Sequence, residues 1–396
     1  MKENILIISF QSLTSNSGAG MAKVGYNLAQ QLFANDQLDS FIVSSKGKFE
    51  TPFPSKAVSK LSRYYLFLIN KIERMMKLPS YLSRYAQELL FDRFCQHHVH
   101  KNLTKIVATT PYLFHTFSKA KKMGIPIYFI PGNPEDNWIE RLVQSENLKF
   151  GITDIDAYTY RPRLSYYNKS IPLVNHIIAY TSILEESYKN SSCTKKVIAT
   201  RGILKPNIIS ITKARPSLGA TMKIGFLAHI VLLKGLQTLL DAWEECQDLN
   251  MELHIGGVMD KNTQHLFRER YAHLKHIIFH GKVTNVPQFF SEISLFVCPS
   301  LVDGAPVTVY EAMQNKIAVI VSDHCGAKDV VEEGETGWII RTGNAGALKE
   351  KLLEAYNDPH RVYEMGKRAQ KAINNYNTQS FYSNLENIIV DTTLIG

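Results

Sequence analysis

Short apolar runs alternate along the chain with longer stretches of helical spacing. The runs include NILIISF at 4–10, KIVAT at 105–109, HIIAYT at 176–181, MKIGFLA at 222–228 and LFVCPS at 295–300. Continuous apolar strands between helices are typical of parallel sheets that are buried on both faces. The pattern therefore predicts an α/β protein with doubly wound, Rossmann-like sheets.

The length predicts two such domains, because 396 residues exceed the roughly 100–200 residues of a single one. We place the first domain at 1–205 and the second at 206–374. The segment 204–223 between them holds two prolines, and the balance of charge changes across it. No tandem repeat or low-complexity tract interrupts either half.

Positive charge is concentrated in the first half. Residues 1–205 carry 27 Lys and Arg against 15 Asp and Glu, whereas 206–396 carry 18 against 21. A basic half favours an anionic partner such as a phosphate-bearing substrate or a membrane surface. The basic, aromatic segment 56–101 either lies at an anionic membrane surface or packs as an ordinary pair of surface helices. We expect no nucleic-acid partner, because no known binding motif accompanies the charge.

Cysteine usage and hydropathy bear on the compartment. The five cysteines are scattered, and none forms a C-x-x-C pair, which argues against a disulfide framework and a zinc site. No apolar run reaches the ~18–20 residues that span a bilayer. The first run predicts a buried strand rather than a signal peptide. We expect no bound metal. We expect a cytoplasmic location, and the alternative is a cytoplasmic protein in peripheral contact with the inner face of the membrane.

Small residues follow the first strand. Ala19 and Gly20 stand just before the helical pattern of 21–33, where a ligand can approach the backbone and free N–H groups. The segment matches neither the G-x-G-x-x-G fingerprint nor a Walker loop. An ordinary tight turn is the alternative.

A second candidate loop follows the strand at 222–228. Lys234 and Gly235 open a helix there, and a lysine beyond the carboxyl end of a strand is well placed to meet a phosphate. His229 lies five residues earlier and faces the same loop in this interpretation. The alternatives are a surface lysine and a structural histidine.

The stretch CPSLVDGAPVTVYEAM at 298–313 carries two acids. Asp303 lies in a loop after a strand, and Pro306 suits the first turn of the following helix, where its missing N–H is not needed. The amides of Val307 and Thr308 are then available to an anion. Glu311 follows one turn into the helix, where a solvent-facing glutamate is the alternative.

In this order the stretches resemble the family-4 retaining glycosyltransferases of the GT-B fold. The matching stretches are FLAHIVLLKG at 226–235, LHIGG at 253–257, FHGKV at 279–283, CPS at 298–300, Asp303 through EAM at 313, and TGWII at 336–340. The first domain fits through Ala19-Gly20, HIIAYTS and ATRGI. The resemblance covers most of the chain and implies two Rossmann-like domains that face each other across a cleft.

The resemblance implies a role for each matching residue. A UDP- or GDP-sugar donor is held by the second domain without a cofactor or metal. Lys234 contacts its diphosphate, Asp303 the hydroxyls of the transferred sugar and Glu311 the ribose. Charge-assisted bonds of this kind contribute roughly 1.5–3 kcal/mol each.

The other implied donor contacts come from both domains. The first domain takes the acceptor, a glycan or a lipid-linked glycan, and a C-terminal helix at about 375–396 packs back on it. The expected function is transfer of a hexose in bacterial-type polysaccharide, lipopolysaccharide or glycolipid synthesis. The residues expected to bind substrate are Ala19, Gly20, His229, Gly257, Val283, Ala305, Pro306 and Val307.

The chain departs from the family pattern at several of these positions. Asp303 replaces a glutamate, and His229 replaces an arginine, which removes one fixed cation. The histidine that follows the fourth strand in the family would fall at Thr109–Pro111, where none stands, and His115 is close but expected on a helix. These departures bear on donor choice and rate more than on the fold.

Two other functions remain open. One is a nucleotide-sugar epimerase of GT-B fold, which the turn DGAPVTVYEAM fits less well. The other is a glycosyltransferase-like binding protein with weakened chemistry, which the changes at His229 and Asp303 motivate. Neither the sugar, the nucleotide nor the acceptor follows from the residues.

Overall fold

The computed structural model describes residues 2–13, 20–46, 49–58, 68, 71, 75–76, 79–153, 155–191, 196–202 and 220–390. Ala19, much of 56–78 and most of the segment 204–223 therefore lie outside the described residues. The chain divides into two compact units. The first unit is Met1–Glu140, Ile155–Gly202 and Thr378–Gly396, and the second is Arg141–Asp154 and Ile203–Asn377.

A parallel sheet of seven strands organises the first unit, in the order β3-β2-β1-β4-β5-β6-β7. The order reverses between β1 and β4, where ligands bind beyond the carboxyl ends of strands in such sheets. The strands are β1 (Ile5–Ser12), β2 (Leu38–Ser45), β3 (Ser55–Ala57), β4 (Lys105–Ala108), β5 (Ile127–Phe129), β6 (His176–Ala179) and β7 (Lys196–Ala199). The described helices that precede β7 are α1 (Met21–Ala34), α2 (Ser80–His97), α3 (Phe114–Lys122), α4 (Asp136–Phe150), α5 (Arg161–Ser170) and α6 (Ser182–Lys189).

A parallel sheet of six strands organises the second unit, in the order β10-β9-β8-β11-β12-β13. Here the order reverses between β8 and β11. The strands are β8 (Met222–Leu227), β9 (Met251–Gly256), β10 (Ile277–Gly281), β11 (Leu295–Cys298), β12 (Ala318–Ser322) and β13 (Gly337–Ile340). The helices of this half are α7 (Leu236–Glu244), α8 (Lys261–Leu266), α9 (Val286–Glu292), α10 (Val307–Gln314), α11 (Ala345–Asn357) and α12 (Pro359–Asn374).

The apolar runs of the sequence are the buried strands. Residues 5–10 of β1 and all of β11 and β12 are buried, as strands covered by helices on both faces must be. The predicted class of two doubly wound, parallel Rossmann-like sheets is confirmed. Among the described helices, none is long and apolar enough to cross a bilayer.

One tryptophan anchors the helix that carries the second unit's lysine loop. Trp243 on α7 is fully buried, and its indole N–H donates to the carbonyl of Lys275 at 3.0 Å. Truncating a buried tryptophan costs about 3–5 kcal/mol, so this contact holds α7 firmly against the sheet.

The last described helix, α13 (Thr378–Val390), packs in the first unit against α1. Gln31 of α1 and Asn35, which follows that helix, both donate side-chain hydrogen bonds to the carboxylate of Glu386. Phe381 packs so closely on Gly202 that a Cβ there would lie 2.2 Å from the ring. The Phe381 ring thus fills the space beside Gly202, three residues after the end of β7.

Candidate functional site

The lysine loop of the second unit is pressed against the loop that follows β11. Lys234 ends a short 3-10 turn, and Gly235, with a φ of 73°, is the residue before α7. A Cβ at Gly235 would lie 2.0 Å from the carbonyl oxygen of Pro299, so only glycine fits. The Leu301 N–H donates to the carbonyl of Leu233 at 2.8 Å, which fastens the two loops together.

Lys234 and Asp303 form an ion pair at this contact. The Lys234 Nζ lies 2.5 Å from Asp303 Oδ2, and the two side chains are 29% and 10% exposed. The Asp303 N–H donates to the carbonyl of His324, and its own carbonyl accepts from the Gly326 N–H at 2.8 Å. The loops after β8, β11 and β12 thus fix this pair. Sequence reasoning named both residues but did not foresee that they pair.

Glu311 lies half-buried on α10. Pro306 is the residue before that helix, with φ −70° and ψ 104°, so the helix begins at Val307, one residue later than expected. Its first hydrogen bond runs from the Val309 N–H to the carbonyl of Pro306 at 3.1 Å. The amides of Val307 and Thr308 precede that bond, as first-turn amides do. Ala305 and Val307 are both partly exposed at this end.

Gly257 packs against the loop that carries His229, and Val283 packs against the neighbouring Gly256. Gly257 has a φ of 127°, and a Cβ there would lie 1.8 Å from the carbonyl oxygen of Ala228. The Gly257 N–H donates to the carbonyl of Gly281 at 2.7 Å. Val283 Cγ2 lies 2.8 Å from where a Cβ on Gly256 would be. The loops after β8, β9 and β10 therefore lie side by side, and His229 is exposed among them.

The first-unit glycine loop is described only at Gly20, since Ala19 lies outside the described residues. Gly20 precedes α1 with a φ of 54°. The Ala22 N–H of the first helical turn donates to Gln11 Oε1 at 2.6 Å, so this amide already has a partner. His115 lies on α3 and donates its backbone N–H to Asp92 at 2.8 Å.

Two buried cysteines border the ion pair. Cys298 ends β11 and Cys325 lies just after β12, opposite Asp303. The hydrogen bond from Cys325 lowers the pKa of the Cys298 thiol, whereas burial raises the pKa of Cys325. Sequence reasoning treated these cysteines as isolated, because 27 positions separate them along the chain.

A histidine pair lies on β9 and β10, with His254 two residues before Gly256. His254 Nδ1 is 3.0 Å from His280 Nε2, and His254 Nε2 is 3.2 Å from a Glu252 oxygen. Burial lowers the pKa of His254, the charges of His280 and Lys223 lower it further, and Glu252 opposes the shift. His254 is therefore held neutral beneath these loops.

A cavity of about 300 Å³ lies beside the loops that follow β11 and β12 in the second unit. It is lined by Leu142 and Glu146 of α4, by Leu301 and His324, and by Arg341. Of the expected site residues within the described ranges, none lines it. The loops that carry the expected residues, and not this cavity, therefore form the candidate site.

Comparison with known proteins gives a family match to the second half of the chain and structural matches to nearly all of it. Residues 211–372, which include every strand of the second sheet, match the family model of glycosyl transferases group 1. Sucrose-phosphate synthase from Thermosynechococcus elongatus superposes on all of the chain with a TM-score of 0.70 at 14% identity, over 100% of its own length. The fold is GT-B. HepE of Anabaena, solved with UDP and glucose, has a TM-score of 0.62 at 15% identity and covers 98% of this chain and 99% of its own.

Curated relatives match over a shorter stretch. The capsular polysaccharide biosynthesis glycosyltransferase CapM of Staphylococcus aureus is 25% identical over 42% of this chain and 45% of its own. The amylovoran biosynthesis glycosyltransferase AmsK of Erwinia amylovora is 27% identical over 40% of this chain and 42% of its own. The matches thus span less than half the length of these relatives.

Proposed function

We propose that this GT-B protein is a retaining, family-4 glycosyltransferase that moves a hexose from a nucleotide-diphosphate sugar to a glycan or lipid-linked acceptor. The observation that carries the proposal is the Lys234–Asp303 pair, held beyond β8 and β11 where the strand order of the second sheet reverses. Ligands of doubly wound sheets bind at that point. The relatives act in capsular polysaccharide and amylovoran synthesis, which supports an envelope polysaccharide or glycolipid as the product.

The ion pair gives the second unit a way to respond to its donor. Lys234 is balanced by Asp303, and a bound diphosphate competes with that carboxylate for the same ammonium group. When Lys234 turns to the diphosphate, Asp303 is released to accept hydroxyls of the sugar. Lys234 thereby counters the negative charge that develops on the leaving diphosphate, so this part of the chemistry needs no metal.

The proposed transfer uses no nucleophile from the protein. The bond from the sugar C1 to the diphosphate oxygen breaks, and a bond from C1 to the acceptor oxygen forms on the same face. The acceptor proton passes to the departing phosphate. Glu311 binds the ribose in this scheme, and Gly257 and Val283 surround the base.

The two halves have separate tasks in this proposal. Residues 206–374 bind the nucleotide sugar, and 1–205 bind the acceptor. Contact of 56–101 with an anionic membrane stays a prediction, because residues 59–67 and most of 69–78 lie outside the described residues.

A thermal-unfolding screen with UDP- and GDP-sugars, with and without EDTA, tests the proposal. We expect one nucleotide sugar to raise Tm, and its slow hydrolysis to follow without an acceptor and to persist in EDTA. Lys275→Ala is the matched control for lysine variants, because the Lys275 side chain is exposed and the substitution keeps the backbone carbonyl that accepts from Trp243. No stabilisation by any nucleotide sugar would refute the donor site. An altered sugar in the recovered nucleotide sugar would indicate the epimerase instead.

A further inference from the structure

Three loops at the carboxyl ends of strands meet at His324, the second residue after β12. Its side-chain Nδ1 lies 3.1 Å from the carbonyl oxygen of Leu301, and its own carbonyl accepts from the Asp303 N–H at 3.1 Å. Its N–H donates to the hydroxyl oxygen of Thr342 at 3.3 Å. His324, in the loop after β12, thus contacts the loops after β11 and β13.

Of these three bonds, the ring bond alone depends on the residue being a histidine. The other two belong to the backbone and form with any side chain in the same conformation. A carbonyl oxygen can only accept, so the ring bonds Leu301 through a protonated Nδ1. Within the part of the chain that the structure describes, no other group donates to this carbonyl, and Leu301 is only 3% exposed. A buried carbonyl without a donor is unfavourable, so the ring bond stabilises this loop.

The ring and the carbonyl of His324 bracket the loop that carries the carboxylate. Leu301 and Asp303 are two positions apart, and the ring holds the first while the His324 carbonyl holds the second. Leu301 also donates its N–H to the carbonyl of Leu233, the neighbour of Lys234, at 2.8 Å. A shift of Leu301 therefore reaches both members of the Lys234–Asp303 ion pair.

A second set of bonds fixes His324 itself. The carboxylate of Asp323 accepts from the N–H and from the hydroxyl of Thr342, at 2.9 and 2.6 Å. The Thr342 hydroxyl proton is thus committed to Asp323, and the oxygen is left to accept from the His324 N–H. His324 also borders the cavity of about 300 Å³, so a smaller side chain there enlarges an existing space and leaves the packed sheet intact.

We propose that His324 is a positioning residue for the transferred sugar: its ring fixes residues 301–303, so that the Asp303 carboxylate meets the sugar hydroxyls in one orientation. The inference rests on the proposed function, in which Asp303 contacts the sugar and Glu311 the ribose. His324 acts through the loop and does not contact the nucleotide. Its loss therefore lowers turnover and leaves nucleotide binding unchanged.

Two amide variants separate the hydrogen bond from the size of the side chain. The side-chain nitrogen of Asn is attached at the same place as Nδ1, whereas that of Gln lies one bond further out, as Nε2 does. We expect His324→Asn to keep kcat within about twofold of wild type, and His324→Gln and His324→Ala to lower it about tenfold. The Kd of the free nucleotide should change by less than about twofold in all three, because the lost contact acts on the sugar. His273→Ala, at an exposed histidine of the same unit, is the matched control and should keep the wild-type values.

A double-mutant cycle tests whether His324 acts through Asp303. Residues that act through one another give non-additive effects. We expect His324→Ala to lower kcat about tenfold in the wild-type background but less than about twofold in an Asp303→Ala background. Additive losses would overturn the inference, because the ring would then act on the reaction by another route.

Two further results would overturn the inference. One is an equal kcat in His324→Asn and His324→Gln, and the other is a rise in nucleotide Kd as large as the fall in kcat. Should His324→Ala not fold, as judged by thermal unfolding, the Asn and Gln variants decide the matter alone. A wild-type protein that neither binds nor hydrolyses any nucleotide sugar refutes the proposed function, and the inference falls with it. With an active wild type, a failed contrast between the variants removes the role of His324 and leaves the proposed function standing.

Discussion

The proposed donor loops of the second unit (those of Lys234, Gly257 and Asp303) and the pocket of the first unit lined by Tyr112, Asp136 and Arg163 occupy equivalent places in two sheets of one kind, yet they are built differently. Both lie beyond the carboxyl ends of strands where the strand order reverses, at β8/β11 in one and β1/β4 in the other. The donor loops are fixed by backbone contacts, as at Gly235 and Gly257, where a Cβ would collide with a carbonyl oxygen. The pocket is fixed by side chains from four elements that are distant in sequence.

The difference explains which site can be recognised from sequence. A loop that packs by its backbone requires glycine at set positions, so it leaves a local pattern such as KG or IGG. A site made of Glu88, Tyr112, Asp136 and Arg163 leaves none, because 75 positions separate the two residues of its tightest ion pair. Local constraint produces a motif, and long-range constraint produces only scattered residues.

Loss of Lys234, the lysine proposed to bind the diphosphate, should have the largest effect. We expect Lys234→Ala to lower transfer by about 100- to 1,000-fold, as removal of one group that stabilises developing charge does. It also leaves Asp303, which is only 10% exposed, without its cation. The measurement is kcat/KM with the nucleotide sugar found in the screen, beside Lys275→Ala. If Lys234→Ala transferred sugar at the wild-type rate, Lys234 would have no part in the reaction. The proposed division into a donor unit and an acceptor unit would then fail.

The ribose contact should come next. Glu311→Gln keeps the size of the side chain but removes the charge, so we expect the donor KM to rise about tenfold or more through a weakened charge-assisted bond. The acceptor KM should stay unchanged. Glu350→Gln on the exposed face of α11 is the matched control. If Glu311→Gln changed the acceptor KM and not the donor KM, the two units would have exchanged roles.

Asp303→Glu sharpens the comparison within the second unit. The longer side chain restores the residue that the resembling family has there, and it moves the carboxylate relative to Lys234. We expect a several-fold change in the rate or in the preferred sugar, with nucleotide affinity little altered, since the proposed ribose contact belongs to Glu311. Comparing kcat for several sugars on one nucleotide, together with the Kd of the free nucleotide, tests this. A large change in nucleotide Kd with unchanged sugar preference would place Asp303 on the wrong part of the donor.

Strand and helix patterns sufficed for the fold, but not for all of the site. The buried strands β1, β8 and β11 were readable because each is a continuous apolar run, and the helix after Pro306 was placed within one residue. The pairing of Lys234 with Asp303 was not readable from the sequence, because it depends on how close two loops come. The first-unit prediction of open helix amides missed that Gln11 bonds to the Ala22 amide. Such contacts depend on tertiary distance, which no local period encodes.

The smallest expected effect is on the pH dependence of Tm, which a buried histidine of the second unit and a buried aspartate of the first unit should change in opposite directions. The lowered pKa of His254 means that the folded state resists its protonation, so its contribution to stability is present above pH 6.5 and lost as the pH falls below that value. Asp136 has the opposite sign: its raised pKa favours the folded state at low pH and is a cost above about 6. His254→Gln should therefore reduce the fall in Tm between pH 7 and pH 5 by about 2 °C, and Asp136→Asn should enlarge that fall. His115 and His176 in the first unit share the direction of His254, so the difference between variants carries the test, with exposed His273→Gln as the control. An unchanged pH slope in His254→Gln would mean that its hydrogen bonds to His280 and Glu252 persist when it is protonated.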